Sequence, residues 1–299
     1  MTAPPALRPV PTLPAAVWTA REAAHAERAD ALTRAHRERR AEHRRHPVED
    51  FLYTYYPTKP GQLRVWHPGV SVALEGAAEH ARRRWYTSRR DGSVTLDVPG
   101  FLADRGDAVG YIHHLVRATR ARPARLSCFG LHEWAMVYRA EQQEVRHPVP
   151  LRLGAEGTDE VVRSHPLRCT HFDAFRFFTD EAEPRNELRL TRADQPELEQ
   201  PGCLHAGMDV YKWASKLGPA VPGELLLDAF ELARDIRELD MRASPYDLTA
   251  WGYTPVPIET AEGKATYVAA QREFAERANS LRDRLLAVTA TLTACMPPE

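Results

Sequence analysis

The chain has 299 residues, of which 43% are hydrophobic and 27% charged, so it can build one large core or two modest ones and is not disordered. No window approaches 18 apolar residues, and the first residues lack the apolar core of a secretory signal. We therefore expect a globular, cytoplasmic protein without membrane contact. Four cysteines without a C-x-x-C pair argue against a disulfide framework and against a structural zinc site.

The charge is unevenly distributed, although the net charge is only -1. Residues 1–150 contain 23 Lys and Arg against 16 Asp and Glu, while the remainder contains 17 against 25. This asymmetry permits DNA or another anionic partner on the basic half. Attraction between two oppositely charged parts of one fold is the simpler explanation.

An Ala- and Arg-rich segment follows the prolines near the start of the chain. Charges spaced i, i+4 predict a long, exposed helix from Ala15 to about Arg45. We therefore expect residues 1–46 to form an N-terminal helical extension and residues 47–299 to form a single α+β domain.

The next segments predict shorter elements. Residues 46–57 predict a short helix that is stopped by Pro57. Asp91-Gly92 stands between two alternating runs and predicts a β-hairpin. Residues 104–120 predict another helix.

The second half of the chain predicts two strands and then a helical region. The strands are expected at residues 149–153 and 167–178. Three helices are predicted after Pro201-Gly202, at residues 204–217, 223–242 and 259–293. Together these elements predict a helix-rich α+β fold, with a small central antiparallel sheet packed against several helices.

The stretch G-L-H-E-W-A-M-V-Y-R, residues 130–139, begins like an H-E-x-x-H zinc helix, but Met136 stands where the second His is needed. Helical spacing places Glu133 among apolar neighbours and Trp134 over Tyr138. A carboxyl group in such surroundings tends to have a raised pKa and can act as a general acid or base. A structural ion pair with an Arg is the simpler alternative.

A His and a carboxylate share one face of the second predicted strand. Period-two alternation puts His171 and Asp173 on the same side as two Phe residues. Such a pair can bind a metal or position a proton, although a satisfied core His is the commoner outcome.

A polar row follows one face of the helix predicted at residues 204–217. His205, Asp209 and Lys212 are spaced i, i+4 and i+7, so they form either a solvated surface or the wall of a cleft. The neighbouring Trp213 favours the cleft.

The following helix carries an acidic stripe that could line a cation site. Arginines interleave with these acids, so local ion pairing is the simpler explanation. If the protein binds a divalent metal, the candidate ligands are His171, Asp173, His205, Asp235 and Glu238. No other cofactor is indicated.

Several long segments resemble a known family. They are H-P-V-E-D-F-L-Y-T-Y-Y-P, C-F-G-L-H-E-W-A-M-V-Y-R, C-T-H-F-D-A-F-R-F-F-T, Q-P-G-C-L-H-A-G-M-D-V-Y-K-W and E-L-A-R-D-I-R-E-L-D-M-R-A-S-P-Y-D-L. They are similar to a bacterial, mainly actinobacterial family whose members are named 3-methyladenine DNA glycosylase, and the resemblance covers residues 46 to 285. It implies a DNA-repair hydrolase that removes alkylated purines. The L-P-G-V-G-type turn of helix-hairpin-helix glycosylases is missing.

Glycosylase chemistry requires an aromatic pocket for the extruded base, a carboxylate and a basic surface for phosphates. Under this hypothesis Glu133 and Asp209 are the catalytic carboxylates, and the Arg-rich half contacts DNA. The candidate binding residues are His132, Trp134, Tyr138, His171, Asp173, His205, Lys212 and Trp213.

Two further hypotheses belong to other functional classes. The first is a metal-dependent small-molecule enzyme that uses His171, Asp173 and His205 with an acid from residues 231–238. The second is a non-catalytic protein that binds a nucleobase, a nucleotide or a nucleic acid in the same cleft.

Overall fold

The computed structural model describes residues 10–56, 58–140 and 149–296. In this part of the chain helices dominate, and four short strands form one sheet. The helices are α1 (Ala15–Ala41), α2 (Phe51–Tyr55), α3 (Pro60–Leu63), α4 (Ala78–Ala81), α5 (Val98–Ala121), α6 (Leu131–Ala135), α7 (Gly154–Ser164), α8 (Phe172–Phe175), α9 (Gln195–Leu198), α10 (Leu204–Leu217), α11 (Gly223–Arg242) and α12 (Ala261–Thr293). The predicted helix-rich α+β class is confirmed.

The sheet is built from the first third of the chain. Its strands are β1 (Thr12–Leu13), β2 (Ala73–Leu74), β3 (Tyr86–Ser88) and β4 (Val94–Leu96), in the order β1-β2-β4-β3. β1 pairs with β2 in parallel, and the other pairs are antiparallel. The predicted hairpin is confirmed, because Gly92 turns the chain at a φ of 81° and Ser93 donates to the Asp91 carboxylate. The sheet is therefore mixed, and it lies nearer the N-terminus than predicted.

The predicted strands at residues 149–153 and 167–178 were wrong. Leu151 makes only an isolated antiparallel bridge with Tyr246, and the second segment contains the short helix α8. Three consecutive residues of α8 are buried. In a half-buried strand, buried and exposed residues would alternate, so the burial of three consecutive residues is not that of a strand.

The three predicted C-terminal helices are confirmed. α10 and α11 have the predicted bounds, and α12 begins after Thr260, whose hydroxyl accepts a hydrogen bond from the backbone of Gly263. α5 begins at Val98, earlier than predicted, because the Asp97 carboxylate caps it by accepting from the Gly100 backbone N–H.

The predicted N-terminal helices are shorter than expected. α1 ends at Ala41, before its strongly basic continuation, and α2 covers only Phe51–Tyr55. Pro57, the expected stop signal, lies outside the described residues.

The main core lies among α5, α10, α11 and α12. α10 and α11 approach closely at Gly207, where a Cβ atom would lie 2.9 Å from the Ile236 side chain. α1 lies along α11 and is tied to it by ion pairs of Arg28 with Asp228 and Glu231. None of the described helices combines the length and the apolar character that crossing a membrane requires.

Candidate metal centre

Three histidines from separate parts of the chain meet inside the helical core. His132 belongs to α6, His205 to the first turn of α10, and His171 immediately precedes α8. The ring of His205 lies 4.4 Å from that of His132 and 5.4 Å from that of His171, measured between centroids. These three histidines therefore converge in the fold.

An unusual turn presents His132 to this meeting point. Phe129 and Gly130 both have positive φ angles, 49° and 72°, so the chain reverses just before α6. A Cβ atom at Gly130 would lie 3.3 Å from the Tyr267 ring. All five residues of α6 are buried. The turn therefore inserts a short polar helix into the core.

His132 and His171 each lie beside carboxylates, so the centre contains two sets of possible metal ligands. His205 lies next to both of these histidines. His132 Nε2 lies 2.9 Å from Asp240 Oδ1, and His205 completes the first set. His171 Nε2 lies 3.3 Å from Glu199 Oε1 and 3.3 Å from Asp209 Oδ2, which form the second set. Within each set the ligand atoms lie within 4.8 Å of one another. We call these six residues, His132, His171, Glu199, His205, Asp209 and Asp240, the histidine-carboxylate centre.

Four buried polar atoms of the centre complete no hydrogen bond of normal geometry within the described residues, although Asp240 lies close enough to His132 to raise the pKa of that histidine against the effect of burial. These atoms are His132 Nε2, Asp240 Oδ1 and both ring nitrogens of His171. Buried polar atoms are nearly always satisfied. Two ligand atoms about 2.1 Å from one metal ion, at an angle of about 90° to 110°, lie roughly 3.0 to 3.4 Å apart. The observed 2.9 and 3.3 Å distances match that spacing.

The carboxylates of the centre are withdrawn from water. The side chains of Glu199 and Asp209 are each 2% exposed, and that of Asp240 is fully buried. Within the described part of the chain Glu199 forms no ion pair with Lys or Arg, and its contacts are the Gln195 amide and His171. Burial raises the pKa of Glu199. A buried carboxylate without a permanent cation needs either a proton or a bound cation.

The histidines differ in their affinity for protons. Burial, helped by the charge of His132, lowers the pKa of His205 far below its ordinary value. Burial also opposes protonation of His171, but Glu199 and Asp209 outweigh it and raise the pKa. His205 is thus held as a neutral imidazole, the form that binds metals. Carboxylates that favour a proton on His171 also favour a metal cation in its place.

Glu133 does not face an open pocket. Its Oε1 accepts a hydrogen bond from Arg237 Nη1 at 2.7 Å, and the same Nη1 lies 3.2 Å from Asp240 Oδ2. Arg237 is 2% exposed and stacks on Phe51 at 4.0 Å. The ion pair that the sequence offered as the simpler alternative is therefore present. Through Arg237, Glu133 holds one oxygen of Asp240 and leaves the other directed at His132.

Asp209 is held in a comparable way on the opposite side of the centre. Its Oδ2 contacts Lys212 Nζ at 2.8 Å, and its Oδ1 accepts from the Tyr56 hydroxyl at 3.3 Å. Although burial acts in the opposite direction, Lys212 and His171 hold the pKa of Asp209 well below its usual range. Lys212 also contacts Asp173 at 2.8 Å, but Asp173 is not a member of either set of converging ligand atoms.

Two clefts are lined by residues that adjoin or contact members of the centre. The smaller, about 170 Å³, is lined by Cys128, Cys169 and Thr170. The Cys128 sulfur lies 3.8 Å from His132 Nδ1, and Thr170 adjoins His171. The larger, about 500 Å³, is lined by Asp173, Lys212 and several aromatic side chains. Of the polar row predicted on α10, Lys212 lines this cleft, whereas His205 and Asp209 belong to the buried centre.

Other predicted site residues lie elsewhere. Trp134 is fully buried and donates to the Ala243 carbonyl oxygen. α6 ends at Ala135, so the helical stacking expected between Trp134 and Tyr138 has no helix to support it. Asp235 pairs with Arg277 and Arg234, and Glu238 pairs with Arg242, all on partly exposed surface. These two acids are not in the centre, because they point away from the face of α11 that meets α10.

Sequence reasoning missed Asp240 and Glu199. Asp240 lies in the same acidic segment of α11, but on its apolar, buried face. An acid at a position where helical periodicity requires an apolar residue could have revealed it. Glu199 follows the four-residue helix α9, and its position depends on long-range packing.

Comparison of the chain with protein-family models, with curated proteins and with solved structures gives no match. The geometry of the centre and its surroundings therefore carries the functional argument.

Proposed function

We propose that the protein is a metal-dependent enzyme whose histidine-carboxylate centre binds a divalent transition-metal ion and whose substrate is a small molecule. One observation carries the proposal. Imidazole and carboxylate atoms of the two sets lie 2.9 to 3.3 Å apart in the buried core. Within the described residues, His132 Nε2, Asp240 Oδ1 and both ring nitrogens of His171 complete no hydrogen bond there. The separation of these atoms is the spacing of ligands that share a metal ion.

The donor types narrow the choice of metal. Imidazole suits iron, zinc, copper and nickel, whereas magnesium and calcium prefer sites made of oxygen atoms alone. His132, His205 and Asp240 form the two-histidine, one-carboxylate combination typical of non-haem Fe(II) sites. We therefore expect Fe²⁺ first and Mn²⁺ or Zn²⁺ as alternatives.

The number of ligands favours catalysis over a structural role. Structural sites are commonly closed by four protein ligands, whereas three ligands leave positions for a substrate or water. Each set offers three residues, and both clefts are lined by residues that adjoin or contact members of the centre. A metal ion bound there would act as a Lewis acid on a substrate oxygen or on water. The protein's own contribution is to orient the ligands, which Arg237 does for Asp240 and Lys212 for Asp209.

Metal analysis of protein prepared without a metal-affinity tag tests the proposal. We expect about one metal ion or more per chain, and a loss of metal affinity of at least about 100-fold in His132→Ala and His171→Ala, since even outer-shell changes cost 10- to 100-fold. His80→Ala is the matched control, because His80 is equally buried, at 1% exposure, but packs against Trp18 away from the centre.

Two outcomes would contradict the metal proposal. One is a substoichiometric metal content that metal-supplemented growth does not raise. The other is an equal loss of metal in His171→Ala and in the His80→Ala control. Circular dichroism and gel filtration of each variant would show whether a lost metal reflects a lost fold.

Glycosylase activity on alkylated DNA is the second proposal, and a basic cleft supports it. This cleft, of about 1030 Å³, is lined by Arg40, Arg44, Arg45 and Lys59, together with Tyr53 and other aromatic side chains. Basic grooves with aromatic rings suit nucleic acids. Salt-sensitive binding of duplex DNA, and base release abolished by Glu133→Gln and Asp209→Asn, are the expected results. Because both carboxylates are buried in ion pairs away from this cleft, we rank this proposal second.

We also propose that the protein is cytoplasmic and that it belongs to the family whose members are named 3-methyladenine DNA glycosylase. Cell fractionation tests the first. A fold shared with an experimentally characterised member would support the second.

A further inference from the structure

The larger cleft beside the centre combines positive charge with aromatic rings. It lies among α2, α5 and α10, has a volume of about 500 Å³, and opens to solvent. Binding sites for small organic ligands commonly have volumes of about 300 to 1,000 Å³. We call it the tyrosine-lysine pocket, after Tyr55, Tyr111, Lys212 and Lys216 in its wall.

The pocket has more cations than carboxylates. Four of its lining residues are cationic: Arg176, Arg192, Lys212 and Lys216. Among the described residues Asp173 is the one acid in its lining, and Asp209 contacts Lys212 from behind. The four positive charges therefore exceed the two negative charges by two. A phosphate monoester, with a charge of about -1.5 to -2 near neutrality, complements this excess better than a carboxylate does.

The cations are held in place rather than left mobile. Arg192 and Lys212 contact the two oxygens of Asp173 at 2.6 and 2.8 Å. The ammonium groups of Lys212 and Lys216 lie 4.5 and 5.4 Å from the centre of the Trp213 ring. Lys216 forms no ion pair within the described residues, so its charge is available to a ligand. Positioned donors of this kind bind phosphate oxygens well.

A flat ring surface stands beside these cations. Tyr111 is 40% exposed, more than any other aromatic side chain that the structure describes, and its hydroxyl is fixed by donating to Gln195. Tyr55 lies in the same wall and is stacked on Phe51 at 5.0 Å. Exposed, fixed aromatic rings are the surfaces on which nucleobases stack.

We propose that the tyrosine-lysine pocket binds a nucleoside monophosphate, with the phosphate among Arg192, Lys212 and Lys216 and the base on Tyr111. The inference rests on the proposed function, since it names the substrate class of the same metal-dependent enzyme. Lys212 connects the two, because it contacts Asp209, a member of the histidine-carboxylate centre. A phosphate bound to Lys212 would therefore contact a residue that itself contacts the centre.

Calorimetric titration with three compounds tests both parts of the ligand. The probes are AMP, adenosine and ribose 5-phosphate, added to the wild-type protein at low salt. We expect AMP to bind at least about tenfold more tightly than either fragment, because stacking and charge-assisted hydrogen bonds each contribute that much. Equal binding of AMP and ribose 5-phosphate would overturn the role of the rings. Equal binding of AMP and adenosine would overturn the role of the cations, and no binding of AMP would overturn the whole inference.

Matched variants then locate the site. Lys216→Gln and Arg192→Gln should each weaken AMP binding about tenfold or more. Arg189→Gln is the control, since Arg189 is a neighbouring arginine, 87% exposed, that lies outside the pocket. If Arg189→Gln weakens binding as much as Arg192→Gln, the pocket assignment is wrong.

The inference can fail separately from the metal proposal. Titrating AMP into His132→Ala, in which the metal should be lost, isolates the pocket, because His132 is not among its lining residues. AMP binding with no metal in any preparation would reject the metal proposal and keep the ligand site. A metal-loaded protein that does not bind AMP would reject the ligand site and keep the metal proposal.

Discussion

Replacing Glu133 by Gln distinguishes the two roles that this carboxylate has been given. If Glu133 were a catalytic base, the substitution would abolish the activity of the enzyme and leave the stability of the fold almost unchanged. The structure instead pairs Glu133 with Arg237 at 2.7 Å, with 5% and 2% of the two side chains exposed. We therefore expect Glu133→Gln to destabilise the fold.

The size of the effect follows from the burial of the pair. Removing one partner of a buried ion pair costs about 3 to 5 kcal/mol, because the other charge stays buried without its partner. Gln keeps an acceptor oxygen and Arg237 keeps Asp240, so we expect the lower end, about 3 kcal/mol. With an unfolding entropy of about 2.1 cal/mol/K for each of the 299 residues, this corresponds to a melting temperature lower by about 5 °C.

Urea denaturation and calorimetry of the variant measure this change. Glu79→Gln is the control, because Glu79 also pairs with an Arg, at 2.9 Å, but with 77% of its side chain exposed. Exposed ion pairs contribute little, so the control should leave the melting temperature unchanged. A Glu133→Gln protein as stable as the control would refute the reasoning and return Glu133 to the list of catalytic candidates.

Three further predictions follow from other parts of the structure. Burial, helped by the charge of Arg83, lowers the pKa of His67 to about 3, so the unfolded chain takes up a proton below about pH 6.5 that the folded chain refuses. Buried His205 has a lowered pKa as well, so the wild type and His67→Gln should both lose stability from pH 7 to pH 5, but the loss in urea titrations should be about 2 kcal/mol smaller in His67→Gln than in the wild type. Gly130→Ala should cost about 1 to 2 kcal/mol and weaken metal binding because of its positive φ and the nearby Tyr267, whereas Gly61→Ala, with open space around it, should do neither. Chelation should lower the melting temperature by about 4 °C if the metal is present at 100 times its Kd, and adding metal back should restore it; no shift would count against the centre.

The long helices could be predicted from the sequence because the features that determine them lie within each helix or next to its ends. α10 and α11 each have a regular apolar face and start after a Pro-Gly or Pro, so both bounds were recovered. α8 could not be predicted, because a helix of four residues is too short to show a helical periodicity. The strand assigned there gave His171 and Asp173 a shared face, whereas in the fold His171 joins the centre and Asp173 faces the neighbouring pocket.

The members of the centre were predictable one at a time but not as a set. His171 was a candidate because it was placed on one strand face with Asp173, and His205 and Asp209 because they belong to a polar row on one helix. Glu199 and Asp240 lie on other parts of the chain, and only tertiary packing brings them within ligand distance of these residues. Residue spacing along one helix cannot supply such contacts, so the acids nearest in the pattern, Asp235 and Glu238, were chosen instead.

The incomplete zinc motif shows how this fold positions its candidate ligands differently from an H-E-x-x-H helix. In H-E-x-x-H one helix turn supplies two metal ligands, so the helix itself fixes their separation. Here Met136 removes the second ligand, and His132 must find its partners on α10 and α11. Three separate elements keep such a spacing only if other contacts lock them together. The ion pair between Glu133 and Arg237 is such a contact. Glu133 is adjacent to His132 in α6, and Arg237 contacts Asp240 in α11. Weakening this pair should therefore disturb metal binding as well as stability.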